Sequence, residues 1–399
     1  MAGWIECKIS DIGTVIGGAT PSTKKPENYA NGTIPWITPK DLSSFSGRYI
    51  KRGERNITDI GLKSCSTQLL PKNTILFSSR APIGYVAIAD DEMCTNQGFK
   101  SVVANENTYP LFLYYLLKYN KNKIESMGSG TTFKEVSGNT MKNIVVSVPT
   151  EKEVQKRIAT ILNSIDDKIE KNASINNNLE QQAQAIFKSW FVDFEPFAGK
   201  SPTSWRNEKL RDVCDCVLGG TPSRAKTEYW NGSIPWINSG EVNNFRIIKP
   251  SETITELGLS KSATKLLPAK TTVLAITGAT LGQISLLEID ACANQSVVGI
   301  IPNENYPYEY IYPLIKQNIN KLTSHKTGGA QQHINKQNVE SLDILVPSLS
   351  DLGKYCNIVR NLYEMIANNC FENEHLTSLR DTLLPKLMSG ELDVSGIDL

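Results

Sequence analysis

A short segment near residue 50 concentrates side chains that bind phosphate. It contains Arg48, Lys51, Arg52 and Arg55, four cations within eight positions, soon after a loop that contains Lys40. Guanidinium and ammonium groups pair with phosphates, and an arginine can also donate two hydrogen bonds to N7 and O6 of guanine. The alternative is a solvated charged loop without a ligand, and the residues alone leave both open.

Patterns typical of catalysis and metal binding are missing from the sequence. No Asn/Asp-Pro-Pro-Tyr/Phe motif of an adenine methyltransferase is present. Gly199-Lys200-Ser201 matches the end of a phosphate-binding loop, but position 194 is Phe where that loop needs Gly. The three histidines, at 325, 333 and 375, lack metal-ligand spacing. The sequence therefore predicts a non-catalytic chain with no metal and no cofactor.

Charge is distributed unevenly along the chain, although the net charge is only +1. Residues 1–150 carry 17 basic and 12 acidic side chains, residues 205–347 carry 14 and 13, and the rest carries 11 and 16. This distribution is compatible with DNA contact by the first and third segments. No apolar run reaches the ~18–20 residues of a membrane span. The N-terminus has no signal-peptide features, and the eight cysteines form no CxxC pairs, which predicts a cytoplasmic protein.

The chain contains an internal repeat. Residues 18–22 read Gly-Ala-Thr-Pro-Ser and residues 219–223 read Gly-Gly-Thr-Pro-Ser. Residues 31–37 and 231–237 match in the same way, each ending in Ile-Pro-Trp-Ile. This pattern indicates a tandem duplication of a unit of about 200 residues, far longer than a solenoid repeat. A protein of two similar halves most simply binds something that also has two parts.

Each half begins with a predicted α+β domain, residues 1–150 and 204–347. Short runs rich in β-formers are separated by Pro, Gly and Asn, which is typical of mixed sheets. A helix interrupts the runs in each half, over Pro110 to Tyr119 and near Tyr308–Gln317.

A helical segment follows each domain, residues 151–203 and 348–399. Apolar residues recur there at spacings of three and four, which predicts two long helices that pair with each other, antiparallel, as an intramolecular coiled coil. Asn172, Asn176 and Asn369 interrupt the apolar seam; they either set the register or mark a shift of the stripe. The predicted seam comprises Ile158, Leu162, Ile165, Ile169, Asn172, Asn176, Leu179, Ala183, Ile186 and Trp190 in the first helix, and Tyr355, Ile358, Leu362, Met365, Asn369, Leu376, Leu379 and Leu383 in the second.

The ends of the two helices carry long specific motifs. Residues 185–197 read Ala-Ile-Phe-Lys-Ser-Trp-Phe-Val-Asp-Phe-Glu-Pro-Phe, and residues 379–392 read Leu-Arg-Asp-Thr-Leu-Leu-Pro-Lys-Leu-Met-Ser-Gly-Glu-Leu. Together with the paired Gly-Thr-Pro-Ser and Ile-Pro-Trp-Ile segments, they resemble the specificity subunit of type I restriction-modification systems. The resemblance covers essentially the whole chain in the family's order.

The resemblance implies a pseudo-two-fold fold: two mixed α/β target recognition domains separated by a pair of long antiparallel helices. It also implies a non-catalytic subunit in which each domain reads one half of a bipartite, asymmetric site in double-stranded DNA. The helices would fix the gap between the halves and dock two modification (methyltransferase) subunits, with restriction (translocase–nuclease) subunits joining that core.

Further DNA-contact candidates follow from the resemblance and the repeat. Arg80 and Thr277 follow equivalent strands on the side that faces DNA in the family, although a structural salt bridge is the alternative for Arg80. The glycine-rich turns at 128–134 and 328–333 let backbone approach a ligand closely, or are plain surface loops. The full set of candidates is Lys40, Arg48, Lys51, Arg52, Arg55, Arg80, Thr131 and Lys134 in the first domain, and Asn243, Asn244, Arg246, Thr277, Gln331, Gln332 and His333 in the second.

Residues that recur unchanged in both halves, such as Asn96-Gln97 and Asn294-Gln295, are predicted to serve the shared scaffold or to position phosphates rather than to read bases. Helix-end residues are the candidates for docking partner subunits, with core packing as the alternative. A different class of function remains open: a coiled-coil scaffold whose duplicated domains bind protein or carbohydrate. The docking candidates are Trp190, Phe191, Phe194, Phe197, Leu384 and Leu387.

Overall fold

The computed structural model describes residues 3–130, 134–324, 332–394 and 396. The chain divides into two compact units: a first unit of Met1–Glu170 with Leu376–Leu399, and a second unit of Lys171–His375. Each unit contains a sheet domain and part of each long helix.

The first sheet domain consists of short strands and helices. Its strands are β1 (Trp4–Lys8), β2 (Gly13–Gly17), β3 (Ile34–Ile37), β4 (Tyr49–Ile50), β5 (Arg55–Ile57), β6 (Ile75–Ser79), β7 (Ile83–Ala89), β8 (Cys94–Thr95), β9 (Lys100–Ala104) and β10 (Val145–Pro149). Its helices are α1 (Ile9–Ile12), α2 (Pro39–Ser43), α3 (Asp59–Lys63), α4 (Pro110–Tyr119), α5 (Lys121–Ser126) and α6 (Gly138–Asn143), and the long helix α7 (Lys152–Phe191) follows.

The main sheet of this domain is mixed, with the strand order β2-β9-β6-β7-β4. The pair β4–β7 is parallel, and the other pairs are antiparallel. Strand β6 is buried along its whole length because it lies inside the sheet. A second sheet has the order β5-β3-β8, and β1 pairs with β10. The core of the first unit includes α4 and residues of both long helices, such as Ile158 and Leu387.

The second sheet domain repeats this plan. Its strands are β11 (Arg206–Lys209), β12 (Asp215–Leu218), β13 (Trp230–Ile237), β14 (Glu252–Ile254), β15 (Leu266–Leu267), β16 (Thr272–Ala275), β17 (Ile284–Leu286), β18 (Ala291–Ala293), β19 (Val297–Ile301) and β20 (Asp343–Val346). Its helices are α8 (Glu256–Ser260), α9 (Tyr308–Gln317), α10 (Ile319–Ser324) and α11 (Lys336–Glu340), and the long helix α12 (Leu349–Met388) follows.

The sheets of the second domain correspond to those of the first. One has the order β12-β19-β16-β17, another has β14-β13-β18-β15, and β11 pairs with β20. The core of the second unit joins α9 to both long helices through large side chains, among them Phe187, Tyr310 and Tyr355. Helices α4 and α9 have the bounds that the sequence predicts.

The long helices α7 and α12 pair antiparallel within each unit. In the second unit, the Asn172 side-chain amide donates to Oδ1 of Asn373 at 2.9 Å, and the Asn369 amide donates to Oδ1 of Asn176 at 2.9 Å. In the first unit, Arg380 pairs with Asp166 at 2.8 Å. Partners thus descend along α12 as positions ascend along α7, and the predicted fold class is confirmed.

The seam predicted for α12 is partly wrong. Ile358 and Met365 are each 49% exposed, and Leu379 is exposed too. The helix instead buries a neighbouring stripe that faces the core of the second unit. Burial by the adjacent sheet domain therefore competes with helix pairing for the apolar face. The buried stripe comprises Leu352, Tyr355, Cys356, Val359, Tyr363, Ile366 and Ala367.

Candidate nucleic-acid interface

The residues that recur in both halves hold the same loop in place. Thr20 Oγ1 donates to Oε1 of Gln97, and Thr221 Oγ1 donates to Oε1 of Gln295. The indoles of Trp36 and Trp236 each donate at 3.1 Å to a backbone carbonyl in the recurring segments 18–22 and 219–223, respectively. These contacts assign the recurring residues to the scaffold, beside the ends of the main sheet.

The glycine that begins each of the recurring segments 18–22 and 219–223 is required by close packing. A Cβ at Gly18 would lie 2.2 Å from the carbonyl oxygens of Thr95 and Asn96, and one at Gly219 would lie 2.1 Å from that of Asn294. Side chains cannot fit such a gap, so only glycine lets these backbones approach.

Two segments that the sequence marks separately meet in the first domain. The Val136 amide donates to the Ser79 carbonyl at 3.0 Å, next to Arg80. Arg80 Nη1 lies 3.4 Å from Oε2 of Glu135, and Lys100 Nζ lies 3.3 Å from Oε1 of the same carboxylate. The ion pair considered for Arg80 is therefore present. Lys134 is exposed beside this cluster, and Thr131 lies outside the described residues.

The equivalent segments also meet in the second domain. Thr277 and His333 form an antiparallel bridge, and the Gly278 amide donates to the Gln332 carbonyl at 2.9 Å. Gln332 and His333 are exposed, and Gln331 lies outside the described residues. The same meeting point thus displays hydroxyl, amide and imidazole groups instead of charges.

Arg48 does not have the exposed position predicted for it. Its side chain is 4% exposed, and its Nε and Nη2 atoms donate to Glu170 at 2.9 and 3.0 Å. Asp167 and Asn163, also on α7, accept further hydrogen bonds. Burial lowers the pKa of Arg48, but the hydrogen bonds that Arg48 donates to Glu170 and Asp167 outweigh burial and raise the pKa. The guanidinium is committed to helix carboxylates, which corrects its assignment as a DNA contact.

Four other cations of the first domain stay at the surface. Lys51, Arg52 and Arg55 are exposed, and Lys40 is 79% exposed in a pair with Glu54 at 2.9 Å. Asp41 connects α2 to the segment before β5, because its Oδ1 accepts from the Glu54 backbone amide at 2.7 Å. Lys40 and Arg52 line a shallow cavity of about 300 Å³. These side chains are available to a ligand.

The second domain also buries an arginine that the sequence suggested as a DNA contact. Arg246 is 1% exposed and lies 2.7 Å from Oε2 of Glu180 and 3.4 Å from Oε1 of Glu288. The Arg246 side chain is therefore enclosed by its ion pairs, and its assignment as a DNA contact is corrected as well. Asn243 and Asn244, just before it, are exposed.

The helix-end aromatics pack within the second unit. The ring centroids of Phe191 and Tyr355 lie 4.8 Å apart. Trp190 meets Phe197, and Phe194 meets Trp205, in edge-to-face contacts. Each of the helix-end aromatics keeps part of its surface exposed. Leu384 is half-buried, but Leu387 is fully buried in the core of the first unit, so it offers no docking surface.

Other chemistry finds no support among the described residues. No group of His, Cys, Asp and Glu is arranged to hold a metal ion there. Burial raises the pKa of Cys94 to about 11, so this thiol stays protonated at neutral pH. No described helix is long and apolar enough to cross a membrane.

Sequence reasoning missed Lys100 and Glu135. The signal was available, because Lys100 opens a strand three residues after the recurring Asn-Gln pair, and Glu135 adjoins the candidate Lys134. What the sequence does not contain is the contact that joins them across 35 residues.

Comparisons with known proteins agree with this architecture. The family model for the type I restriction modification DNA specificity domain matches residues 1–181 and 202–377. The chain is 36% identical to the type I restriction enzyme MjaIX specificity subunit of Methanocaldococcus jannaschii, over 99% of this chain and 94% of that protein. It is 25% identical to the HindI specificity subunit of Haemophilus influenzae, over 98% of this chain and 100% of that protein.

A solved structure has the same fold. The S subunit of a type I restriction-modification system from M. genitalium superposes with a TM-score of 0.61, covering 98% of this chain and 97% of that chain at 18% identity. Two matches of the family model, in the order of the two sheet domains, correspond to the internal repeat. The chain therefore belongs to the family of type I restriction-modification specificity subunits.

Proposed function

We propose that this chain is the non-catalytic subunit that gives a type I restriction-modification complex its DNA specificity. Residues 1–150 and 204–347 form the two recognition domains, and each reads one half of a bipartite, asymmetric site. Residues 151–203 and 348–399 form the helical segments between and after them. The observation that supports this best is the meeting point at the sheet ends: one scaffold, used twice, displays different side chains in the two domains.

The DNA-contact set follows from exposure. Arg48 and Arg246 leave the set because their charges are enclosed. Thr131 and Gln331 stay predictions from the sequence alone. Phosphate contacts give affinity and register, whereas contacts to base edges give specificity, so both kinds are expected in the set. The proposed contacts are Lys40, Lys51, Arg52, Arg55, Arg80, Lys134, Asn243, Asn244, Thr277, Gln332 and His333.

The partners of this chain are double-stranded DNA, two methyltransferase subunits and restriction subunits, all in the cytoplasm. The names of the relatives support a place in a type I restriction enzyme. The partly exposed aromatics at the end of α7 and Leu384 on α12 are the proposed docking residues. The stoichiometry is tested by measuring the mass of the complex after co-expression with its methyltransferase.

A domain exchange tests the modular assignment. Residues 1–150 are replaced by the matching segment of a relative, and methylated adenines are mapped across a genome by sequencing. We expect one half-site to change while the other half-site stays the same. A change in both half-sites would contradict independent reading by the two domains.

The alternative function, a scaffold that binds protein or carbohydrate, is separated by a gel shift. The complex with methyltransferase is titrated onto specific and random duplexes at several salt concentrations. Phosphate contacts release counterions, so DNA binding should weaken steeply as salt rises. Absence of any shift at low salt would favour the scaffold.

A further inference from the structure

A carboxylate lies between two cations where the main sheet of the first domain ends. Arg80 follows the last residue of β6, and Lys100 is the first residue of β9. These strands are antiparallel neighbours, so the end of one lies beside the start of the other. Glu135 enters from a distant segment and places one oxygen near each cation, at 3.4 and 3.3 Å. The cluster therefore joins three parts of the chain at one sheet edge.

The three side chains differ in access to solvent. The Lys100 side chain is 15% exposed, and its Nζ also lies 3.4 Å from Oγ of Ser79 and 3.5 Å from the Gln97 carbonyl. The Arg80 and Glu135 side chains are 35% and 38% exposed. Lys100 is thus held at the inner side of the cluster, whereas Arg80 stands at the open side.

Glu135 occupies one part of the Arg80 guanidinium. The contact uses Nη1, and among the described residues Nε and Nη2 of Arg80 have no hydrogen-bond partner. Nε and Nη2 form one edge of the planar guanidinium, with two N–H bonds that point in parallel. Such an edge matches the N7 and O6 acceptors of guanine in the major groove.

The second domain lacks this cluster although it shares the scaffold. The strand register shows which residue replaces Lys100. Lys100 pairs with Gly17 in the first domain, and Val298 pairs with Leu218 at the equivalent position of the second domain. His333 replaces Glu135 in the same way. The next residue in each domain, Val136 or Ile334, donates its backbone amide to a carbonyl at the end of β6 or just after β16. The difference between the domains is thus concentrated in the side chains of this cluster.

We propose that Glu135 is a specificity-determining residue of the first domain, which holds Arg80 so that its Nε–Nη2 edge reads a guanine in one half-site. Lys100 balances the charge of Glu135 and fixes its position. The inference rests on the proposed function and deepens it. Without the carboxylate, the Arg80 side chain is free to swing toward the nearest phosphate, which adds affinity but no base discrimination.

The test uses the complex of the full chain with its methyltransferase. Methylation mapping of the wild type first gives the site, and binding is then measured by fluorescence anisotropy. The probes are the mapped duplex and duplexes in which each guanine of the half-site is replaced, one at a time, by 7-deazaguanine. One position should weaken wild-type binding by about tenfold, because one of two acceptors is lost.

The variants Glu135→Ala and Arg80→Lys should both abolish the sensitivity to that one replacement. Lysine keeps the charge but lacks the parallel pair of donors, so it should not rescue discrimination. Glu135→Ala should bind random DNA as tightly as wild type or more tightly. Glu153→Ala, which removes a carboxylate from the exposed pair with Lys156 on α7, is the matched control and should behave as wild type.

Several outcomes would overturn the proposal. If Arg80→Lys keeps full discrimination, or if Arg80→Ala lowers the salt dependence by about one ion and affects all sequences alike, Arg80 contacts a phosphate. If Glu135→Ala leaves discrimination intact, or weakens it in both half-sites, Glu135 does not set specificity. Preserved discrimination at the second half-site shows that a variant is folded. If the wild-type complex shows no sequence preference at all, the proposed function itself has failed.

Discussion

Each of the two recognition domains buries an arginine against carboxylates, but the two sets of carboxylates differ in exposure. In the first unit, Arg48 meets Asp167 and Glu170, whose side chains are 58% and 38% exposed. In the second unit, Arg246 meets Glu180 and Glu288, which are 7% and 1% exposed. Both domains thus bury a cation, but its carboxylate partners are partly exposed in the first unit and buried in the second.

The lysines beside these arginines show the same difference. Helices α4 and α9 have equal lengths, which aligns Lys118 with Lys316. Lys316 Nζ lies 2.8 Å from Oε1 of Glu180. Burial lowers its pKa, but Tyr312 and Glu180 outweigh burial and raise it. Lys118 instead lies over the rings of Tyr114 and Tyr115, and burial lowers its pKa. The stability of the second unit therefore depends more strongly on one buried carboxylate, that of Glu180.

The largest expected effect is that of Arg246→Ala. The change removes one cation from each of two buried carboxylates and leaves Glu180 with Lys316 and Glu288 with Lys270. Removing one partner of a buried ion pair typically costs about 3–5 kcal/mol. Urea unfolding of the variant and the wild type measures the loss. Arg211→Ala is the control, because Arg211 is 62% exposed, and it should change stability by less than about 0.5 kcal/mol. A loss for Arg246→Ala as small as that of the control would contradict the enclosed ion pair.

Acidification should weaken the second unit through Glu180. Burial raises the pKa of this carboxyl, but Arg246 and Lys316 outweigh burial and lower the pKa from 4.5 to about 2. A lowered folded-state pKa stabilises the protein above the unfolded-state value, and this contribution disappears as the pH falls from about 4.5 toward 2. The loss should approach about 3 kcal/mol at the lower end of this range, and about 2 kcal/mol of it should be present at pH 3.

The measurement is the free energy of unfolding between pH 7 and pH 3, compared with that of Glu180→Gln. The glutamine variant should be less stable at pH 7, and its stability should fall less on acidification because the titrating group is gone. Parallel pH curves for the two proteins would show that Glu180 is not responsible.

Arg48→Ala should have a smaller effect than Arg246→Ala. Its carboxylate partners reach water when the arginine is removed, so the cost is that of charged hydrogen bonds, about 2 kcal/mol. The same unfolding experiment measures it. Equal losses for the two arginines would mean that the exposure of the carboxylates has no energetic consequence.

These two arginines also show what the sequence can predict. Local patterns are sufficient for the bounds of α4 and α9 and for the long helices, because periodicity and Pro or Asn boundaries lie within each segment. The sequence also identifies the scaffold residues, since the repeat marks them. The burial of Arg48 depends on carboxylates more than 110 residues away in the sequence, and no local pattern shows that the fold brings them next to it.

For a related reason, local sequence patterns do not predict which face of α12 is buried. Apolar residues follow two stripes on this helix, and both fit spacings of three and four. Tyr355 and Tyr363 are buried by α9 and its surroundings, whereas Ile358 and Met365 remain exposed. Only the packing of the sheet domain against the helix decides between the stripes.

The smallest expected effect concerns the asparagines between the helices of the second unit. Asn176 is 3% exposed, and its Oδ1 accepts from the Asn369 amide at 2.9 Å. Asn369→Leu should cost about 1 kcal/mol, because it leaves that buried oxygen without its donor. The double variant Asn176→Leu/Asn369→Leu removes both polar groups, so its loss should be smaller than the sum of the single losses.

A double-mutant cycle by urea unfolding measures this coupling. Strictly additive losses would show that the two amides contribute independently and do not recognise each other. A coupling of about 1 kcal/mol or more would instead mean that the pair distinguishes its own alignment from one shifted along α12, where the Asn176 oxygen would face an apolar side chain. Polar residues in the seam would then specify the antiparallel register, and the apolar residues around them would supply most of the stability.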